Sequence, residues 1–195
     1  MQPMSLPGLA AAKPRETHHL FFALWPEDDA RAAMAAAANA IRQQHASAGR
    51  WIHPRRYHMT LHYLGEFAEL PTTLVEHACA AGDRVRVGAF DLTLDIAASF
   101  GANASVPWWL GARSVPQQLG HLWASVGDAL RSDAAWPART SALAPHVTIL
   151  RQATHALETI PIAPIAWPVG DFVLIDSLLG ADSRYTILRR WPLSR

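Results

Sequence analysis

One cysteine, Cys79, is all that 195 residues contain, which rules out an internal disulfide and leaves no cysteine cluster for a structural zinc. Charge is sparse too: 17% of residues are charged and the formal net charge is +1. So neutral a chain has no broad cationic field for duplex nucleic acid, and any nucleic-acid contact has to be local. Long apolar runs are missing as well. The Ala-rich stretch 32–41 is broken by Asn39 and flanked by charges, so no membrane span is expected. No glycine-rich phosphate loop of either usual spacing occurs. Residues 1–17 mix Pro, Gly, Ala and charge without the apolar stretch of a signal peptide. They read as a flexible N-terminal arm ahead of a single domain over 18–195, in the cytoplasm and without a cofactor or metal.

Half of the residues are apolar, enough for a sizeable core in a chain of this length. Short apolar or alternating runs at 19–25, 57–64, 90–96, 106–112, 146–150, 171–179 and 184–191 predict strands. Helices are predicted after Pro26 to about His45, from Pro71 to Arg84, and over 115–130, where Leu119, Leu122, Val126 and Leu130 recur at three and four. Cys79 falls within the second helix and is expected as a small buried apolar residue. Two broadly similar halves, with hairpin-like strand connections, favour an α+β fold with antiparallel sheets.

Two segments carry the chemistry: His58-Met59-Thr60-Leu61 and His146-Val147-Thr148-Ile149. Side chains alternate faces along a strand, so each segment aims a histidine and a threonine at one polar face and two apolar residues at the core. Two such faces brought together supply what phosphodiester cleavage needs without a metal. One neutral imidazole takes a proton from the attacking water, and one imidazolium protonates the departing oxygen. The threonine hydroxyls donate to the non-bridging oxygens. Chance alone supplies about half a His-x-Thr in this composition, so the strand setting and the duplication carry more weight than the tripeptides.

Arg151 follows His146 by five, at opposite strand parity, and is a candidate phosphate ligand if a twist brings its long side chain round. His62 shares parity with His58 and Thr60 but stands about 13 Å from His58 along a strand, too far for one metal ion, and is expected at a cleft rim or the surface. Trp25, Trp51, Trp108, Trp109 and Phe22 are candidates for stacking on a base, against a core role for each. The pair Arg55-Arg56 beside the first motif is a candidate contact for an RNA backbone or an exposed turn.

Taken in order, 20–26 (LFFALWP), Arg50-Trp51, 58–66 (HMTLHYLGE), Trp109 to Gly111, 145–151 (PHVTILR) and the closing Tyr185 to Pro192 resemble the RNA 2′,3′-cyclic phosphodiesterases of the 2H phosphoesterase superfamily, first described as 2′-5′ RNA ligases. The resemblance runs from about residue 19 to 193. It implies a bilobal α+β fold, two pseudo-symmetric lobes with antiparallel sheets and flanking helices around a central cleft. It also implies hydrolysis of 2′,3′-cyclic phosphate ends of RNA or nucleotides to 2′-phosphates, with His58 as proton donor and His146 as proton acceptor. Thr60, Thr148 and Arg151 would bind the phosphate. A monomer acting on RNA 3′ ends or nucleotides, with no membrane partner, is expected. Met59 and Tyr63 stand where Leu and Phe are frequent in that family. The alternatives are 2′-5′ RNA ligation at the same cleft, a non-catalytic RNA-end-binding protein, and a zinc hydrolase drawing on several of the ten histidines.

Overall fold

Strand β1, Thr17–Leu24, turns Leu20, Phe22 and Leu24 to one side, where all three are fully buried. Asp28 and Asp29 then sit in the first turn of helix α1, Asp28–Gln44, where negative charge complements the helix dipole. One face of α1 carries the buried residues Ala30, Met34, Ala38 and Ile41, spaced for a helix with a single apolar stripe. The remaining elements are β2 Arg50–Trp51, a 3-10 turn Pro54–Arg56, β3 Met59–Phe67, α2 Thr72–Arg84, β4 Phe90–Ser99, β5 Val106–Gly111, α3 Gln117–Arg131, β6 Val147–Ala153, β7 Ile160–Val169, β8 Asp171–Leu179 and β9 Arg184–Pro192. The computed structural model describes residues 16–101, 105–132, 142–180 and 183–194. The expected arm lies outside the described residues except for Glu16 and Thr17, and Thr17 already pairs within β1.

The strands run β7-β4-β5-β6-β3-β1-β8-β9, with β2 added beside β6. Each of these neighbours pairs antiparallel. The order falls into two four-stranded halves joined at β3 and β6 through the pair Met59 and Val147, and the residues flanking β4 and β9 also meet, at Gly88 and Ser194. Both halves are built alike: β1-α1-β3 and β5-α3-β6 are each strand, helix, motif strand, with the motif strand antiparallel to the first. The architecture is α+β with two pseudo-symmetric halves. The helices tie them together, because α1 packs on β7 of the other half and α3 packs against β3. No helix among the described residues is long and apolar enough to cross a membrane.

Two strands differ from expectation. Residues 50–51, not among the predicted strands, pair with Arg151 and Leu150 as β2. Strand β7 carries Pro161, Pro164 and Pro168, which argue against a strand in sequence; it forms the sheet edge, where a missing N–H costs no ladder bond.

Candidate active site

His58 and His146 each stand one residue ahead of the strand that carries their threonine. Met59 pairs with Val147 in antiparallel register. One step outward on each side, the same register sets His58 across from Thr148 and Thr60 across from His146, and residues directly opposite in a sheet share a face. The alternate residues Met59, Leu61, Val147 and Ile149 are buried in the core. Nδ1 of His58 donates to the Arg56 carbonyl at 2.7 Å, and Nδ1 of His146 donates to the Ala144 carbonyl at 2.7 Å. Each imidazole is bonded in the same way two residues back, which fixes its tautomer and leaves Nε2 for proton transfer.

Beyond the threonines the simple alternation fails, and it fails identically in both halves. Trp109 pairs with Thr148 but Trp108 pairs with Leu150, so Ile149 is an extra residue in β6. A bulge of this kind shifts the faces by one. Ile149 and Leu150 are both buried, and Arg151 returns to the face of Thr148, where it lines the same cavity. The opposite parity expected of Arg151 is thereby corrected. In β3, Ala23 pairs with Thr60 and Phe22 with His62, making Leu61 the extra residue. His62 is therefore turned away from His58 and Thr60, contrary to the expected parity and rim position. Its Nε2 lies 2.7 Å from the Trp123 carbonyl and its ring stacks on Trp123, 5.2 Å between centroids. Tyr63, five residues after His58 as Arg151 is five after His146, faces the cavity instead.

The cavity measures about 330 Å³, and Thr60, Thr148, His58 and Arg151 contribute to its lining. His146 is outside that lining; its ring meets Phe100 edge-on at 4.8 Å and Trp109 at 6.4 Å. The remaining walls include His19, Phe21, Arg50, Arg56, Tyr63 and Tyr185, and no Asp or Glu among the described residues. Phe21 lies 4.9 Å and Tyr185 5.4 Å from the His58 ring. The Arg56 guanidinium sits 4.4 Å over the Tyr185 ring and donates to the Ser183 hydroxyl at 3.2 Å. The Tyr63 hydroxyl is 3.0 Å from Nδ1 of His19. Among the described residues no group of three or more His, Cys, Asp or Glu comes together to hold a metal ion.

Burial pushes the His58 imidazole down from 6.5 to about 4; the bond to the Arg56 carbonyl opposes this, and the charges of Arg151, His146 and Arg56 add to it. His146 is lowered as well, by burial first and by Arg151, against the support of the Ala144 carbonyl. The neutral imidazole is therefore the resting form of both.

None of the tryptophans considered for base stacking lines the cavity, nor does Phe22. Phe22 and Trp108 are fully buried, and it is the neighbouring Phe21, of opposite parity, that faces the site. Arg50, Tyr185 and His19 were not legible as site residues, since each depends on which strands lie beside the motifs. Tyr63 had a signal: the offset of five that it shares with Arg151. Cys79 is half-buried beside the core, away from the cavity.

A duplicated strand-helix-strand unit that sets two His-x-Thr pairs across one register is the framework of a two-histidine phosphoesterase. The model of the family described as LigT-like phosphoesterases matches residues 24–109, which include the first motif. Among solved structures, E. coli LigT in apo form is 30% identical, with 92% of this chain and 99% of that chain covered and a TM-score of 0.68. E. coli LigT complexed with ATP is also 30% identical over the same shares, TM-score 0.70. The complex with 3′-AMP is 28% identical, again covering 92% and 99%, TM-score 0.72. No curated protein matches the chain by sequence. The chain belongs to the LigT-like phosphoesterase family.

Proposed function

We propose that the protein hydrolyses 2′,3′-cyclic phosphate ends of RNA or nucleotides to 2′-phosphates. The observation that carries this reading is the antiparallel pairing of the two motifs at Met59 and Val147, with Nδ1 of each histidine bonded to a main-chain carbonyl, beside a cavity lined by arginines and, among the described residues, no carboxylate. Water attacks phosphorus while His146 takes its proton, the bond from phosphorus to the ribose 3′ oxygen breaks, and protonated His58 donates to that oxygen. The order of donor and acceptor follows the family likeness. Thr60 and Thr148 donate to the non-bridging oxygens and Arg151 neutralises the charge they hold. The nucleotide complexes of E. coli LigT, with 3′-AMP and ATP, support a nucleotide ligand here.

His58 reaches its working form only once an anion is bound, because the empty site holds it neutral. The phosphate then offsets the charges of Arg151 and Arg56 and raises the histidine as it binds. A ribose 5′-hydroxyl in place of water would make a 2′-5′ bond by the same steps; the excess of water favours hydrolysis.

A 2′,3′-cyclic nucleotide is expected to be hydrolysed in excess EDTA, with His58→Ala and His146→Ala each lowering the rate at least ~100-fold. Identification of the phosphate position in the product checks the regiochemistry. Full activity in the double variant, or none in the wild type on any cyclic phosphate, overturns the proposal.

A further inference from the structure

A cyclic phosphodiester carries one negative charge, yet Arg50, Arg56 and Arg151 all line the cavity and, among the described residues, no carboxylate does. Several arginines elsewhere are paired with a carboxylate: Arg31 with Asp28, Arg113 with Asp95, Arg189 with Asp83 and Arg190 with Asp171. Among the described residues, none of the three cavity arginines is in such a pair. Unneutralised cations gathered in one cleft mark a ligand with more than one anionic group.

The three are not equivalent. Arg50 and Arg151 are direct cross-strand partners, and the charge of Arg151 bears on both histidines. Those two belong with the reacting phosphate. Arg56 bears on His58 and not on His146. Its guanidinium sits over the Tyr185 ring and is bonded to Ser183, and Tyr185 in turn meets the His58 ring edge-on. The main chain of Arg56 already orients His58, so its side chain is available for a separate task.

Direction follows from the reaction proposed above, on which this inference rests. His58 protonates the departing ribose oxygen, so the nucleoside lies on the His58 side of the phosphorus and water on the other. Phe21 and Tyr185 both meet the His58 ring, and Arg56 lies over Tyr185, which is where a chain leaving through the ribose 5′ carbon on that side would continue. We propose that Arg56, backed by the Tyr185 ring and the Ser183 hydroxyl, is a second phosphate subsite, which takes the phosphate on the 5′ oxygen of the terminal nucleoside. That group is either a 5′-monophosphate or the linkage to the preceding nucleotide of an RNA.

The test compares kcat/KM for three substrates that share one base and a 2′,3′-cyclic phosphate: the nucleoside, its 5′-phosphate, and a dinucleotide. The phosphorylated pair is expected to exceed the nucleoside by at least about tenfold, the contribution of one charge-assisted contact. Arg56→Gln is expected to bring those ratios to within about twofold of one, and Arg56→Lys, which keeps the charge but not the planar fork, to retain part of them. Preference for the dinucleotide alone assigns the subsite to RNA; preference for both assigns it to any 5′-phosphate. Equal turnover of all three by the wild type, or unchanged ratios in Arg56→Gln, overturns the subsite while leaving the hydrolase intact. No turnover of any substrate overturns both. A measurement on the wild type alone gives a second reading: log Kd of the 2′-phosphate product is expected to depend more steeply on salt when the 5′-phosphate is present, because one more charged contact is screened. Equal slopes count against the subsite.

Discussion

His58 is held neutral by its surroundings, and this has two separable effects. Its value in the fold is about 4 against an ordinary 6.5, so as pH falls below 6.5 the unfolded chain binds a proton that the folded chain does not. Stability is then lost progressively down to about pH 4. The lowered His62 and His146 act in the same sense. Urea unfolding at pH 7.5 and 4.5 is expected to give a lower midpoint at the acid end, and a smaller difference for His58→Gln; an unchanged difference would mean that the burial carries no such cost. In catalysis, kcat/KM reports the free enzyme, so both limbs of its pH profile should fall below about 6.5. Arg56→Gln removes a charge that lowers His58 and is expected to move that limb upward. A flat profile from pH 5 to 9, with chemistry rate-limiting, would refute the acid–base pair.

At the scale of elements, the bulges at Leu61 and Ile149 decide which residues face the cavity. The motif strands were legible because apolar residues alternate with the His and Thr of each, a pattern contained in one strand. A bulge is a property of two paired strands, so the sequence of β3 or β6 alone does not display it, and the faces of His62 and Arg151 could not be read correctly. Strand β7 was hidden by its prolines, whose tolerance depends on its lying at an edge. The pairing of β2 with β6 makes a further prediction. Arg50 lies directly across from Arg151, and like charges so placed cost roughly 0.2–1 kcal/mol. Arg50→Gln is expected to raise the thermal midpoint slightly while lowering kcat/KM. A variant less stable than the wild type would show that Arg50 has a structural partner. On α2, a methyl group at Gly82 would approach the Trp191 ring to 2.5 Å. Trp191 cannot yield easily: it stacks on Phe172 at 5.0 Å, and its Nε1 donates to Asp83 at 2.8 Å. Gly82→Ala gains about 0.5–1 kcal/mol of helix propensity but incurs overpacking of about 1–3 kcal/mol. A net loss of stability is expected in denaturant titration, and a gain would mean that the ring moves.

Over the whole molecule, the two halves are joined at Met59 and Val147, directly beneath the paired motifs, and again at the bridge between Gly88 and Ser194. The α+β class and the duplicated organisation were legible in the order of elements. The exchange of helices was not, because α1 meets β7 across more than a hundred residues of chain. With α1 on one half and α3 on the other each reaching across, the spacing of the motifs is fixed from outside the seam.

A scaffold with twofold character is a poor reader of a strand that has two different ends, since either orientation would fit it equally. The matching bulges resolve this: at corresponding places one half offers the guanidinium of Arg151 and the other the Tyr63 hydroxyl beside His19. Identical geometry carrying unlike chemistry makes the two sides of the cleft inequivalent, so that under the proposed function an RNA end would enter in one sense only.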